Sequence, residues 1–205
     1  MSEMSEPESS VYIVDDDAAV RDALEALLGS VGLPASAYAS AEAFLEESDA
    51  GMRGCLLLDI RMPGMGGMEL QTKLREREVL MPVIFITGHG DVPMAVRALK
   101  AGAMDFIEKP FNEQQLLDRI QVCLDEDRKA SRSRMARDAA RAGFRQLTTR
   151  ETAVMELIAA GSHSKAIASA LDIKERTVDV HRFNIMRKVG ARTLADLLHR
   201  WFLAR

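Results

Sequence analysis

Residues 55–67 read CLLLDIRMPGMGG, and the choice of fold turns on this stretch. Four apolar residues in succession, with no polar alternation, describe a strand covered on both faces. The run stops at Asp59, and Pro63, Gly64, Gly66 and Gly67 follow at once with the chemistry of a turn. A strand buried on both faces needs a helical layer on each side, which points to a parallel sheet with crossover helices.

The residues around it repeat this grammar. VYIV at 11–14, VIFIT at 83–87 and DFIE at 105–108 are further apolar runs, with a weaker one at 36–38. Between them Val20, Leu24, Leu27, Leu28 and Val31 recur at helical spacing, as do Met68, Leu70 and Leu74, then Met94, Val96 and Leu99, then Leu116, Leu117 and Ile120. Strand and helix alternate, so residues 11–124 are expected to form an α/β doubly wound five-stranded parallel sheet with right-handed crossovers.

Residues 146–205 differ in kind: they hold no convincing strand and four helical patterns. Thr148 and Glu151 form a T-x-x-E capping box. Residues 164–171, a turn at Asp172 and Ile173, and residues 175–189 have the lengths of a helix-turn-helix, with Ile167, Ala168, Leu171, Ile173 and Val178 as its apolar clamp. The expected architecture is thus a doubly wound α/β domain followed by an all-α helix-turn-helix domain. Residues 125–145 lie between them as a solvated helix or a flexible tether, with helix favoured from residue 112 to a stop at Gly143.

Charge divides the chain at the same place. Residues 1–124 hold 10 Lys and Arg against 21 Asp and Glu, net −11, whereas residues 125–205 hold 17 against 10, net +7. An acidic half suits a cation site and a basic half suits nucleic acid. Hydrophobic residues at 47% and charged residues at 28% exclude a wholly disordered or collagen-like chain. No apolar run is long enough to span a membrane, and the acidic, polar residues 1–10 do not resemble a secretory signal. The expectations are a disordered stretch at 1–10, a cytoplasmic location and no membrane partner. Cys55 and Cys123 form no motif with each other or with the four histidines, and read as core thiols.

In parallel α/β sheets ligands bind beyond the carboxyl ends of the strands. Those ends here carry Asp15, Asp16 and Asp17, then Asp59, then Thr87, and the last strand leads to Lys109 and Pro110. Carboxylates gathered in one crevice repel one another unless a hard divalent cation joins them, and oxygen-only ligands suit Mg2+. Asp59 would attack phosphorus in line, with Mg2+ and Lys109 neutralising the phosphoryl oxygens and the Thr87 hydroxyl bonding one of them. Taken singly, each has a plainer reading: an Asp run after a strand caps the next helix, as Asp17 is expected to do, and a strand-terminal Asp or Thr serves a turn.

These residues resemble the receiver domain of bacterial two-component response regulators. The resemblance covers residues 11–124 and rests on VDDD with Asp15 and Asp16, LLLDIRMPGMGG around Asp59, FITGHGD with Thr87 and DFIEKPF with Lys109, in FixJ-like wording. It implies Asp59 as phospho-acceptor, Mg2+ on Asp16, Asp59 and the Arg61 backbone carbonyl with Asp15 acting through water, and a cis peptide at Lys109-Pro110. It also implies a switch in which Phe106 follows Thr87. Arg61 and His89, each two residues beyond a site residue, are expected to tune the access of hydrolytic water.

The C-terminal residues resemble the LuxR-type effector domain through QLTTRETAVMELIAAG, KAIASAL and RTVDVHRFNIMRKVGARTLADL. From the helix pattern, the second helix of the motif offers Lys174, Glu175, Thr177, Asp179, His181, Arg182, Asn184 and Lys188 as polar groups for DNA. The resemblance adds Asp179, Val180, Arg182 and Phe183 as residues facing bases, with Lys188 and Arg192 toward phosphates. An acid at 179 could only accept from a cytosine amino group. Where the family usually carries Ser, this chain has His163 and Lys174, which weakens two helix caps, and Ala166 stands where Glu or Gln is usual.

The whole implies a two-component response regulator, with a sensor histidine kinase donating to Asp59, a homodimer when phosphorylated, duplex DNA as ligand and RNA polymerase as a further partner. Slow aspartyl-phosphate hydrolysis and Mg-dependent self-phosphorylation would accompany a regulator that is not otherwise an enzyme. An aspartate-nucleophile phosphohydrolase uses similar groups but usually has a second Asp two residues after the nucleophile, where this chain has Arg61. A phosphorelay module whose helical tail binds protein or RNA is the remaining alternative.

Overall fold

The computed structural model describes residues 9–88 and 92–205. His89 and most of the stretch expected to be disordered lie outside the described residues. The chain divides into two compact units, residues 1–131 and residues 132–205.

In the first unit five strands alternate with helices: β1 (Ser10–Val14), α1 (Ala18–Ser30), β2 (Ala35–Tyr38), α2 (Ala41–Glu47), β3 (Gly54–Asp59), α3 (Gly67–Glu76), β4 (Val83–Thr87), α4 (Val92–Lys100) and β5 (Asp105–Glu108). A long helix, α5 (Glu113–Arg145), follows. The sheet order is β2-β1-β3-β4-β5 and every pairing is parallel, as expected from the apolar runs. β1 starts at Ser10, which pairs with Gly54, one residue before the run suggested.

The two-residue period of a strand sorts the core into two layers. Val11, Ile13, Cys55, Leu57, Ile84 and Ile86 meet Leu24 and Leu28 of α1 and Leu116, Ile120 and Cys123 of α5. Val14, Leu56, Leu58, Val83 and Phe85 meet Phe44 of α2, Leu70 and Leu74 of α3 and Ala98 of α4. Cys55 and Cys123 are both free and buried. Burial, and then the Cys123 thiol beside it, hold the Cys55 thiol well above its ordinary pKa.

The helix α2 escaped the sequence reading because seven residues hold too few turns to display a period. A cap and tertiary packing specify it instead: the Ser40 side chain caps Ala43 at 3.1 Å, and Phe44 packs between Tyr12 and Tyr38 at ring distances of 5.7 and 5.0 Å.

In the second unit α6 (Thr149–Ala159), α7 (Ser164–Leu171), α8 (Glu175–Val189) and α9 (Leu194–Leu203) enclose Val154, Met155, Ile158, Ile167, Val178, Ile185, Leu197 and Trp201. The capping box is made in full: Thr148 Oγ1 accepts from Glu151 N–H and the Glu151 carboxylate accepts from Thr148 N–H. Gly143 does not end α5, which continues to Arg145. A Cβ on Gly143 would lie 3.1 Å from Val189 Cα, so this glycine serves the close approach of α5 to α8 and not a stop. Phe144 then stacks edge-on against Trp201 at 5.0 Å.

Candidate phosphoryl site and DNA-reading helix

The parallel sheet places the ends of β1, β3, β4 and β5 along one edge, and with them Asp15, Asp16, Asp59, Thr87 and Lys109. Asp15 follows β1, Asp59 ends β3, Thr87 ends β4 and Lys109 follows β5. Asp15, Asp16 and Asp59 each offer a carboxylate oxygen, all within 4.8 Å of one another. Lys109 Nζ lies 2.6 Å from Asp15 and 3.5 Å from Asp59. The Lys109-Pro110 peptide is cis.

The three aspartates after β1 separate into distinct jobs. The Asp17 side chain accepts from Ala19 N–H at 2.9 Å and caps α1, as its plainer reading required. Asp15 is buried, and its Oδ1 accepts from Asp17 N–H at 3.0 Å while Lys109 holds Oδ2. Asp16 is exposed at the mouth of the crevice.

Asp59 sits in a tighter frame. Its Oδ1 accepts from Arg61 N–H at 3.2 Å, and Gly67 N–H reaches Ile60 O at 3.0 Å to fold the loop back. A Cβ on Gly67 would collide with the Asp59 carbonyl oxygen, so only glycine admits this return. Burial pushes the Asp59 carboxyl up; the Arg61 N–H and the Lys109 ammonium oppose it, while the negative charge of Asp15 adds to it. Three carboxylates against the Lys109 ammonium, and the Arg21 guanidinium on the Asp15 backbone carbonyl at 2.7 Å, still leave a deficit of positive charge at a site whose ligands are hard oxygen donors. That donor set fits a divalent cation such as Mg2+.

Thr87 is buried, and its carbonyl accepts from Lys109 N–H at 2.9 Å. Phe106 is half-buried and packs on the core layer that contains Phe85, its pairing partner in β4. The Arg61 side chain is exposed.

In the C-terminal unit α7, a turn with Asp172 in the left-handed region (φ 52°) and α8 build the helix-turn-helix. The N-caps His163 and Lys174 make no side-chain cap bond, as their residue types imply. Lys174, Glu175, Thr177, Asp179, Val180 and Phe183 are exposed, whereas His181, Arg182, Asn184 and Lys188 are partly covered. Arg192 is exposed between α8 and α9, with its N–H on Asp196 at 3.0 Å.

Three of the DNA candidates, Lys188, Asp179 and Arg182, have side chains engaged within the domain, Arg182 through Ser164 Oγ at 3.4 Å. Lys188 Nζ lies 2.6 Å from Glu151, tying α8 to the start of α6, and Asp179 accepts from Ser164 Oγ at 3.3 Å. Two exposed arginines of α8, Arg176 and Arg187, were passed over in the residue-by-residue reading. The steps of four, three and four from 176 through 180 and 183 to 187 are the signal that could have found them.

The comparisons with known proteins agree with both halves. The response regulator receiver domain family matches residues 11–121, and the bacterial regulatory proteins of the luxR family match residues 145–201. The response regulator protein TmoT of Ectopseudomonas mendocina is 44% identical over 95% of this chain and 89% of its own length. The transcriptional regulatory protein FixJ of Bradyrhizobium diazoefficiens is 40% identical over 92% of each. The solved structure of the response regulator StyR superposes with a TM-score of 0.87 at 45% identity, covering 95% of this chain and 98% of that one. No helix among the described residues is long and apolar enough to cross a membrane. With an acidic crevice at the strand ends of one domain and a helix-turn-helix in the other, the chain belongs to the two-component response regulators that join a receiver to a LuxR-type DNA-binding domain.

Proposed function

We propose that Asp59 accepts a phosphoryl group from the phosphohistidine of a sensor kinase and that this event sets the DNA affinity of the C-terminal domain. The observation that carries the reading is the meeting of Asp15, Asp16 and Asp59 with Lys109 at the carboxyl ends of the strands. An Asp59 oxygen attacks phosphorus, and the new P–O bond forms as the P–N bond to the kinase imidazole breaks. Lys109 needs only a small shift from Asp15 to bond a phosphoryl oxygen, and the Thr87 hydroxyl approaches another. Asp16, Asp59 and the Arg61 carbonyl, with Asp15 acting through water, would hold Mg2+, which when bound supplies the positive charge that offsets the carboxylates and the phosphoryl oxygens.

Movement of Thr87 toward the phosphoryl group leaves room for Phe106 to turn inward, and that motion passes to the face of α4, β5 and α5. Val96 and Leu99 of α4, 42% and 46% exposed, and Val122 of α5, 50% exposed, supply apolar surface there for a second copy of the chain. Dimerisation brings two α8 helices to two half-sites of duplex DNA, so affinity rises without a change in any base contact. Contact with RNA polymerase and a cytoplasmic location complete the reading. The Arg61 side chain, exposed beside the crevice, limits the access of hydrolytic water, and His89 acts with it.

Incorporation of phosphate from a small phosphodonor tests the chemical step. It should require Mg2+ and Asp59, and equal labelling of Asp59→Asn, or labelling indifferent to Mg2+, contradicts the reading. Aspartyl-phosphate lifetimes unchanged by Arg61→Ala and His89→Ala would remove those two residues from it.

A further inference from the structure

The helix α8 has two unlike faces. Val178, Ile185 and Val189 are buried in the C-terminal core. On the side away from them Arg176, Val180, Phe183 and Arg187 recur at helical steps, so they form one stripe along the helix. All four are exposed, Val180 at 53% and Phe183 at 66%. A phenylalanine ring left in water forgoes the burial that normally places it in a core, and no described residue of its domain covers it.

The polar neighbours are drawn off this stripe. Ser164 Oγ, at the start of α7, donates to Asp179 at 3.3 Å and accepts from Arg182 at 3.4 Å. These bonds are long for their type, so they orient the acid and the arginine sideways without locking them. Lys188 is held by Glu151 at 2.6 Å. The surface that faces outward therefore has an apolar middle and cationic ends. Among the described residues neither Arg176 nor Arg187 has an ion-pair partner.

The chemistry of the major groove offers a match. On its base edges the thymine 5-methyl is the one projecting apolar group, set among hydrogen-bond donors and acceptors. From Arg176 to Arg187 the helix rises about 16 Å, at ~1.5 Å per residue. The groove is about 12 Å wide. A helix lying in the groove nears its floor at the middle of such a stripe, so the apolar pair would lie over the bases and the long side chains of Arg176 and Arg187 would reach toward flanking phosphates.

We propose that Phe183, with Val180, selects thymine by apolar contact with its 5-methyl group, and that Arg176 and Arg187 hold the flanking phosphates. This rests on the DNA-binding reading above and names the base chemistry it uses. Asp179 then acts as a positioning residue toward Ser164 and not as an acceptor from cytosine.

The test uses the phosphorylated full-length chain. Duplexes are selected from a random pool, and each thymine of the selected site is replaced in turn by deoxyuridine, which removes only the methyl. At one or two positions wild type should lose about fourfold in affinity, the scale of one buried methyl. Phe183→Ala should bind the thymine and deoxyuridine duplexes alike, and Phe183→Leu should keep part of the difference. Arg176→Ala and Arg187→Ala should weaken every duplex and each lower the slope of log affinity on log salt by about one. Circular dichroism of the variants should match wild type, since all these side chains lie outside the core. A selected site indifferent to deoxyuridine at every position, or a Phe183→Ala protein that keeps the wild-type sensitivity, overturns the proposal. Failure to enrich any duplex overturns the DNA-binding reading and the proposal with it.

Discussion

Lys109 and Lys188 each hold a carboxylate at 2.6 Å, Asp15 in one domain and Glu151 in the other. The exposures are also close, 19% and 3% for the first pair against 25% and 4% for the second. What differs is the company. Glu151 accepts from Thr148 N–H as well as from Lys188, so one negative charge meets one positive charge and a backbone donor. Lys109 is shared with Asp59, and Asp16 adds a third carboxylate to the same cluster. Burial alone would raise the Glu151 carboxyl, but the bonds from Lys188 and Thr148 outweigh it and hold its pKa below the ordinary range. At Asp59 burial wins and the carboxyl is raised. One pair is a closed staple between helices; the other is a site that still lacks positive charge. Equal distance and equal burial thus say little until the charges around the pair are counted.

Removing each lysine should separate the two most sharply. Lys109→Ala should slow phosphorylation of Asp59 by a small phosphodonor by roughly 100-fold or more, the scale of losing one donor to a developing oxyanion. Lys188→Ala should leave that rate at wild type, and a loss of rate there would erase the distinction. In unfolding experiments Lys188→Ala should destabilise the C-terminal domain by about 2 kcal/mol, below the ~3–5 kcal/mol of a fully buried pair because the lysine is a quarter exposed.

The same pair sets a pH signature. A carboxyl whose folded pKa is depressed contributes stability that is complete above its unfolded pKa and is lost as pH falls through the folded one. The Lys188-dependent stability should therefore be intact at neutral pH and disappear below the ordinary glutamate range. An unfolding profile in which wild type and Lys188→Ala stay equally far apart down to strongly acidic pH would contradict it.

A change from carboxylate to amide should have opposite signs in the two places. Without Mg2+, Asp59→Asn relieves repulsion in the crevice and should stabilise the receiver by about 1 kcal/mol, whereas Glu151→Gln should destabilise the helical domain. Denaturant midpoints moving the same way in both variants would refute the contrast. A third pair gives the lower bound: Arg119 and Asp105 meet at 3.0 Å, but the arginine is 53% exposed. Arg119→Ala should cost no more than about 0.5 kcal/mol.

How much of this was legible in the amino-acid sequence follows from the range of the forces involved. The parallel sheet and the meeting of the acidic residues with Lys109 were readable because apolar runs mark buried strands and because strand ends on one edge must converge: Asp15, Asp59, Thr87 and Lys109 each follow or finish such a run. The four C-terminal helices were readable from their punctuation, above all the Thr148 and Glu151 box. Helix α2 was not, since Phe44 between two tyrosines specifies it through tertiary contacts. Gly143 carried the same letter as a helix stop while serving a close approach to Val189. Lys188 and Asp179 looked available for DNA because their partners, Glu151 and Ser164, are distant in the chain and meet them only after folding. Composition can tell that a lysine is present; only the fold tells which carboxylate already has it.

Affinity for duplex DNA, measured for the full-length chain with Mg2+ in the presence and absence of a small phosphodonor, bears most directly on the link between the acidic crevice and the reading helix. Phosphodonor should tighten binding of the wild type by roughly tenfold or more through dimerisation and leave Asp59→Asn unchanged. Equal affinity of the wild type in both states, or the same gain in Asp59→Asn, would contradict the account.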